Sequence, residues 1–382
     1  MNAMQDVNHS QYSQKELLAR FWQTASLFWL GRRSWPAWGL TVFLIAIVLL
    51  QIVMQYLLNF WNRDFFNALE ARDGGRVWHE IEVLIPLVAG SVALAAISVW
   101  GRMTAQRLWR RNLTTRLIDY WLAKDNYRKL DYTVVGHQNP EYRIAEDARI
   151  ATDSPVDLAV GLLSAVLVAI TFFGILWKVG GDYTFSVFGA AISIPGYLVF
   201  GVILYSTIFT GAMLFIGRPL TNIIQAKNQA EAELRADADL LREVGEGFAP
   251  PGSDVERQRA VWTALRGVLD RWRELMRELT LLTFVSHSNF LLAPIIAWFL
   301  CSPKFLAGAM TLGELTQAAV AFVTVQGAFN WLVDNYQRSA DWMSSVNRVA
   351  TFLFALDEVG REPDIGKNRA KLPAAQKIMR AQ

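Results

Sequence analysis

The chain of 382 residues has a single cysteine, Cys301, so no disulfide can form within it. Its four histidines, His9, His79, His137 and His287, are scattered at no spacing that suits a metal, and neither a metal site nor a cofactor is expected. Charge is scarce: 19% of residues are charged against 53% hydrophobic, with a mean hydropathy of +0.22. That balance excludes an ordinary soluble domain of this length. The net charge of +3 gives no pointer to nucleic acid, and none is expected as a partner. The opening stretch MNAMQDVNHS is polar and lacks the apolar core of a cleavable signal peptide, so insertion is expected to use the first span itself. A phosphate-binding loop is missing too. The nearest approach, GREPDIGK at 360–367, has five residues between its glycines and is followed by Asn368 where a Ser or Thr would hold Mg²⁺.

What is present is a set of long charge-free runs. A helix needs about 20 apolar residues to cross about 30 Å of hydrocarbon. Runs at 34–62, 83–101, 158–177, 279–303 and 315–333 meet that length. A sixth, 183–217, is 35 residues long and has room for one span or two short ones. Basic residues decide between them. With one span there, the hydrophilic segments 102–157 and 218–278, each with ten Lys and Arg, face the same side, while the three intervening connections together hold five. The expectation is therefore an all-α polytopic protein of the inner (plasma) membrane, with six spans in the lipid bilayer and both termini cytoplasmic.

Ahead of the first span, Leu17, Leu18, Phe21, Trp22, Ala25, Phe28 and Trp29 recur at helical spacing among Lys15, Arg20, Arg32 and Arg33. That pattern predicts an amphipathic elbow in the inner interface. The chain divides accordingly into a cytoplasmic start with its elbow (1–35), a six-helix region (36–345) and a cytoplasmic tail (346–382). The two hydrophilic segments are rich in helix formers and concentrate their breakers near the middle, at Gly136 and Pro140 in the first and at Gly245, Gly247, Pro250, Pro251 and Gly252 in the second. Both read as long cytoplasmic helical hairpins. Arms of about 25 residues would carry each tip roughly 35 Å from the membrane. A tip there can receive force from a partner or serve as a solvated scaffold.

RNLTTRLIDYWLAKDNYRKLDY (111–132) and HQNPEYRIAEDARIATDSPVDLAVGLLSAVLVAITFFGILW (137–177) resemble the membrane domain of YddA-type half ABC transporters, relatives of the SbmA/BacA peptide transporters. NFWNRDFFNALE (59–70), IGRPL (216–220) and MTLGELTQAAVAFVTVQGAFNWLVDNYQRSADWMSSVNRV (310–349) fit the same pattern, and NPEYRIAED is its most specific piece. The resemblance implies an ABC-exporter-type transmembrane domain, a domain-swapped homodimer around a central cavity, and peptides or other bulky amphiphilic solutes as substrates. It also implies that the tip positions Asn139, Pro140, Arg143, Glu146 and Asp147 couple to nucleotide-binding domains; the alternative for them is local capping and salt bridging within a turn. A YddA-like protein would continue after the sixth span into an ATPase domain, for which the 49 residues 334–382 give no room, and the Pro-rich tip GEGFAPPGSD (245–254) is closer to the SbmA/BacA type. The expected mechanism is a stand-alone permease driven by the proton gradient; the alternative for the same fold is a transmembrane subunit that works with a separate ATPase, and a membrane scaffold or enzyme is the further alternative.

Proton coupling requires carboxylates that titrate near the membrane. Asp64, Glu82, Glu314 and Asp334, at span ends and cavity mouths, are the candidates, with an ordinary interfacial carboxylate as the alternative at each. Gln51, Gln55 and Asn59 recur at i, i+4, i+8 and face either a cavity or another helix. An enzyme is not expected, since the neighbours Ser286 and His287 point about 100° apart on a helix and cannot form a dyad. The 15 Trp, 22 Phe and 10 Tyr divide between an interfacial belt, helix packing and an amphiphile-binding wall.

Overall fold

The computed structural model describes residues 13–31, 34–127, 130, 139–187, 190–245 and 254–361. His9, Arg32, Arg33, Gly136, His137, Gly247, Pro250, Pro251, Gly252 and the segment 362–382, with most of GREPDIGK, lie outside the described residues.

Helix α1 (Gln14–Ala25) starts on an S-x-x-E capping box, in which the Ser13 backbone N–H donates to Glu16 Oε2 at 2.8 Å. The chain bends at Ser26 into α2 (Leu27–Leu30) and then enters α3 (Trp35–Glu70). A tight turn with Arg72 at φ 53° leads to α4 (Gly74–Leu122), whose first turn is tied down by the Arg76 N–H donating to Asp73 Oδ1 at 3.1 Å. After a 3₁₀ turn at Ala123–Asp125 and the first hairpin tip comes α5 (Ala148–Gly180). Strands β1 (Asp182–Val187) and β2 (Ala190–Pro195) pair antiparallel, Asp182 opposite Pro195 and Val187 opposite Ala190. Then follow α6 (Tyr197–Gly217), α7 (Leu220–Gly245), α8 (Asp254–Leu306), α9 (Leu312–Asp334) and α10 (Tyr336–Arg361).

Among the described residues five helical segments, Trp35–Glu70, Gly74–Asp125, Pro140–Gly180, Tyr197–Arg242 and Val255–Leu306, are long and apolar enough to cross a membrane. The 183–217 run thus forms one long helix, but it opens with a hairpin. Gly181 (φ 54°) follows the end of α5, and Gly196 (φ 60°) starts α6 where a Cβ would collide with the Trp177 ring. The sixth predicted span forms α9, which is less apolar than the other five and more enclosed. Gln317, Ala318, Ala319, Ala321, Phe322, Val325 and Gln326 are all buried along it.

The chain separates into two compact units. The first combines residues 1–54, 88–164 and 335–382. Its core gathers Leu17, Phe21 and Ala25 of α1, Trp109, Leu113 and Leu117 of α4, Ile144, Ala148 and Ala151 at the start of α5, and Val346 to Val359 of α10. The stripe of α1 that the sequence turns toward an apolar surface is thus covered by protein. Trp22, on its other side, stays exposed.

The second unit combines 55–87 and 165–334. In it α7 and α8 form the antiparallel arms of the second hairpin. Arg257 Nη1 donates to the Leu240 carbonyl at 2.7 Å, and Lys227 Nζ sits 4.8 Å over the Trp272 ring. Helices α6, α8 and α9 pack together, with Tyr197 and Tyr205 donating to the carbonyls of Leu300 (3.1 Å) and Asn289 (3.2 Å). Lys304 Nζ donates to the Gly180 carbonyl.

Candidate functional site

The first hairpin tip is built from a left-handed residue, a proline and a widened turn. Asn139 takes φ 70°, and its carbonyl accepts the Tyr142 N–H at 3.1 Å. Pro140 occupies the first helical position, where its missing N–H costs nothing. Arg143–Asp147 then runs as a π-helical turn, a feature that recurs at functional sites. Within that turn Ile144 and Asp147 are buried.

Asp147 is fully buried and bridges two arginines. Its Oδ2 accepts from Arg143 Nη1 at 2.8 Å, and its Oδ1 accepts from Arg348 Nε at 2.9 Å and Nη2 at 2.6 Å. Arg348 also donates to Ser344 Oγ at 2.5 Å and Ser345 Oγ at 2.8 Å, which fixes the guanidinium on α10. Glu146 is held differently: Arg149 approaches it bidentately at 2.6 and 3.0 Å, and that hydrogen bonding lowers the Glu146 pKa below the usual carboxylate value. One helical turn on, burial raises the pKa of Asp153 even though Arg149 stands 3.7 Å away. The tip therefore has an inner carboxylate that anchors it to α10 and an outer ion pair open to water.

Two further junctions tie α10 down. Asp157 accepts from Arg102 at 3.4 Å and from Arg338. Asp357 accepts from Arg20 at 2.8 and 3.1 Å and from the Tyr120 hydroxyl. The acceptors or donors on α10 are residues 338, 348 and 357, spread along its length.

The candidate coupling carboxylates are not gathered into one site. Asp64 pairs with its neighbour Arg63 at 2.8 Å, and Glu82 is exposed on α4. Glu314 completes a capping box with Thr311: its Oε2 accepts the Thr311 N–H at 3.0 Å, and Thr311 Oγ1 accepts the Glu314 N–H at 3.2 Å. Asp334 closes α9, one residue beyond the apolar run 315–333, and is exposed. The polar stripe is split. Asn59 is buried and its Nδ2 donates to the Gln317 carbonyl at 3.1 Å, Gln51 Nε2 reaches the Leu94 carbonyl at 3.5 Å, and Gln55 is exposed.

A junction that the sequence reading missed lies at the start of α9. The Gly313 N–H donates to Asn67 Oδ1 and the Leu312 N–H to Glu70 Oε2, both at 3.0 Å, so the end of α3 caps the next helix in place of solvent. Gly313 itself abuts the Arg63 carbonyl, and any Cβ would collide with it. The legible signals were Asn67 and Glu70 at i, i+3 and the T-x-x-E of 311–314.

Long apolar helices, two helical hairpins and a charged, α10-anchored tip define the membrane domain of a transporter. The family model for the ABC transporter transmembrane region 2 matches residues 26–306, and the chain belongs to that family. The inner membrane ABC transporter ATP-binding protein YddA of Escherichia coli is 26% identical over 345 residues, covering 88% of this chain and 60% of that relative. An uncharacterized ABC transporter ATP-binding protein of Haemophilus influenzae is 23% identical over 320 residues, covering 84% and 54%. ABC transporter D family member 2, chloroplastic, of Arabidopsis thaliana is 23% identical over 350 residues, covering 91% and 47%. The chain thus spans between 47% and 60% of the length of these relatives.

Proposed function

We propose that this chain forms the membrane half of an exporter-type transporter in the inner membrane, with α9 as the sixth span and both termini cytoplasmic. Two copies assemble as a domain-swapped homodimer, and the cavity between them carries a peptide or another bulky amphiphilic solute. ATP hydrolysis by a nucleotide-binding domain or a separate subunit supplies the work, received at Asn139, Pro140, Arg143, Glu146 and Asp147. The observation that carries this reading is the tip, where the buried Asp147 joins the turn to α10 through Arg348, so a push on the turn is passed on rather than absorbed. The family membership and the ATP-binding names of the relatives support the same energy source. The elbow lies in the inner interface, with Trp22, Leu30, Trp35 and Trp38 exposed toward it.

One observation favours a second, SbmA/BacA-like mechanism driven by protons: the Pro-rich tip 245–254, which resembles that type. The two separate in membrane vesicles of both orientations given a labelled cationic amphipathic peptide. One arm has ATP on the cytoplasmic side plus a protonophore, and the other has an imposed pH gradient without nucleotide. Accumulation in the ATP arm alone is expected. Accumulation only on the pH gradient, reduced by Glu314→Gln and more weakly by Asp334→Asn, overturns it in favour of proton coupling. Because Gln also completes a capping box, Glu314→Gln leaves the start of α9 intact.

A further inference from the structure

Within the first unit, the elbow, the start of α3 and the cytoplasmic part of α4 enclose a groove of about 550 Å³. Its floor is apolar, made by Leu27, Phe28, Pro36 and Ala37. Its wall is a face of α4 that presents Arg111, Asn112, Thr115 and Arg116 at helical spacing. The walls are fixed. Trp109 Nε1 donates to the Ala25 carbonyl at 3.1 Å, Trp29 Nε1 to Thr41 Oγ1 at 3.1 Å, and Trp38 Nε1 to the Trp29 carbonyl at 3.2 Å.

Two neighbouring arginines on α4 are engaged elsewhere. Arg102 pairs with Asp157, and Arg110 donates to the Ala145 carbonyl. Arg111 and Arg116 have no ion-pair partner among the described residues; Arg116 Nε donates only to Asn112 Oδ1, at 3.1 Å, which orients its guanidinium. Among the described residues Asp119 is the one carboxylate in the lining, leaving a surplus of positive charge. The depth follows from the neighbours. Pro36 and Ala37 open the apolar run of α3, and Trp22, Trp35 and Trp38 stand exposed around that level, where interfacial indoles sit.

We infer that this groove holds the phosphate headgroup of an anionic glycerophospholipid of the inner leaflet. Arg111 and Arg116 bind the phosphate by charge-assisted hydrogen bonds, Asn112 and Thr115 take the glycerol oxygens, and the acyl chains leave along the apolar floor. A free phosphate would leave that floor uncovered, which is why a lipid is the occupant. The inference stands apart from the question of what energises transport.

Native mass spectrometry of the full purified chain in detergent tests it, with phosphatidylglycerol, phosphatidylcholine and inorganic phosphate as separate probes. Phosphatidylglycerol is expected to remain bound at least about tenfold more than phosphatidylcholine, a ratio that corresponds to one strong ionic contact. Arg111→Gln with Arg116→Gln removes that preference, while Arg266→Gln on the second hairpin leaves it unchanged. Asp119→Asn deletes the opposing charge and strengthens retention, a gain that a misfolded variant does not produce. Equal retention of the two lipids, an unaffected double variant, or inorganic phosphate binding as tightly as phosphatidylglycerol would each overturn the inference.

Discussion

The two units join their helices with different chemistry. Around α10 in the first, the junctions are ionic: Asp147 with Arg143 and Arg348, Asp157 with Arg102 and Arg338, Asp357 with Arg20. Among α3, α6, α8 and α9 in the second, most are neutral: Asn59 to a carbonyl, Tyr197 and Tyr205 to carbonyls, Asn67 to the Gly313 N–H, and close contact at Gly313 and Gly201, with the Glu70 carboxylate at the end of α3 the charged exception. The solvent explains the difference. Charges are costly within hydrocarbon, where small residues and neutral polar groups hold helices together, whereas arginine–carboxylate pairs are kept more readily in or near water. A junction's chemistry therefore reports where it lies relative to the bilayer.

The largest expected break in this comparison is Asp147→Ala. It leaves Arg143 and Arg348 facing each other beside a buried void, at a cost of about 3 kcal/mol, toward the low end for a broken buried pair because both arginines retain some exposure. A thermal melt in detergent should show it as a clear loss in midpoint, and an unchanged midpoint would mean that the buried node is not what braces the tip. In the second unit the corresponding test is Gly313→Ala. Backbone stands in the way of the new methyl, so the helices must separate, at about 1–3 kcal/mol. Gly327→Ala, on the same helix with nothing within 4 Å of its Cβ, is the control and should stabilise slightly. Equal melts for the two would remove the close α3–α9 approach from the account.

A smaller effect sharpens the neutral side. Asn67→Ala takes away the acceptor for the Gly313 N–H and should cost about 1 kcal/mol, the usual worth of a helix cap. The same melt reads it, and Asn67→Asp should recover most of the loss. An Asn67→Ala midpoint equal to the parent would assign the capping to Glu70 alone.

Much of this was legible in the sequence. Charge-free runs located the long helices, basic residues marked the two hydrophilic hairpins, and NPEYRIAED picked out the turn that carries Asp147. The β-hairpin was not, because counting apolar residues across 183–217 hides the alternation of Tyr183, Phe185 and Val187 with Thr184 and Ser186. The i, i+4, i+8 stripe of Gln51, Gln55 and Asn59 promised one polar face, yet each residue meets a different environment, since spacing fixes a direction along α3 and not what lies there. Nor did spacing reveal the α10 junctions. Arg348 and Asp147 are 201 positions apart, and only the fold brings them together.

The smallest stability effect carries the most about function. Glu146 is half-buried, and its lowered pKa comes first from the hydrogen bonds of Arg149. A depressed carboxylate pKa stabilises the fold above its unfolded value, and the contribution fades as the pH falls through the folded value. Glu146→Gln should therefore flatten the acid side of the stability profile while moving the melting midpoint at neutral pH by less than about 2 °C, as surface pairs do. If Glu146 and Arg149 serve only to cap the turn, transport will follow that negligible change. If the tip engages a nucleotide-binding partner through its outer face, ATP-driven uptake will fall several-fold in a variant whose melt matches the parent. The inner and outer carboxylates of one turn would then be distinguished: Asp147 lost from stability and transport together, Glu146 from transport alone. Uptake by Glu146→Gln at the parental rate would instead confine the role of Glu146 to the turn.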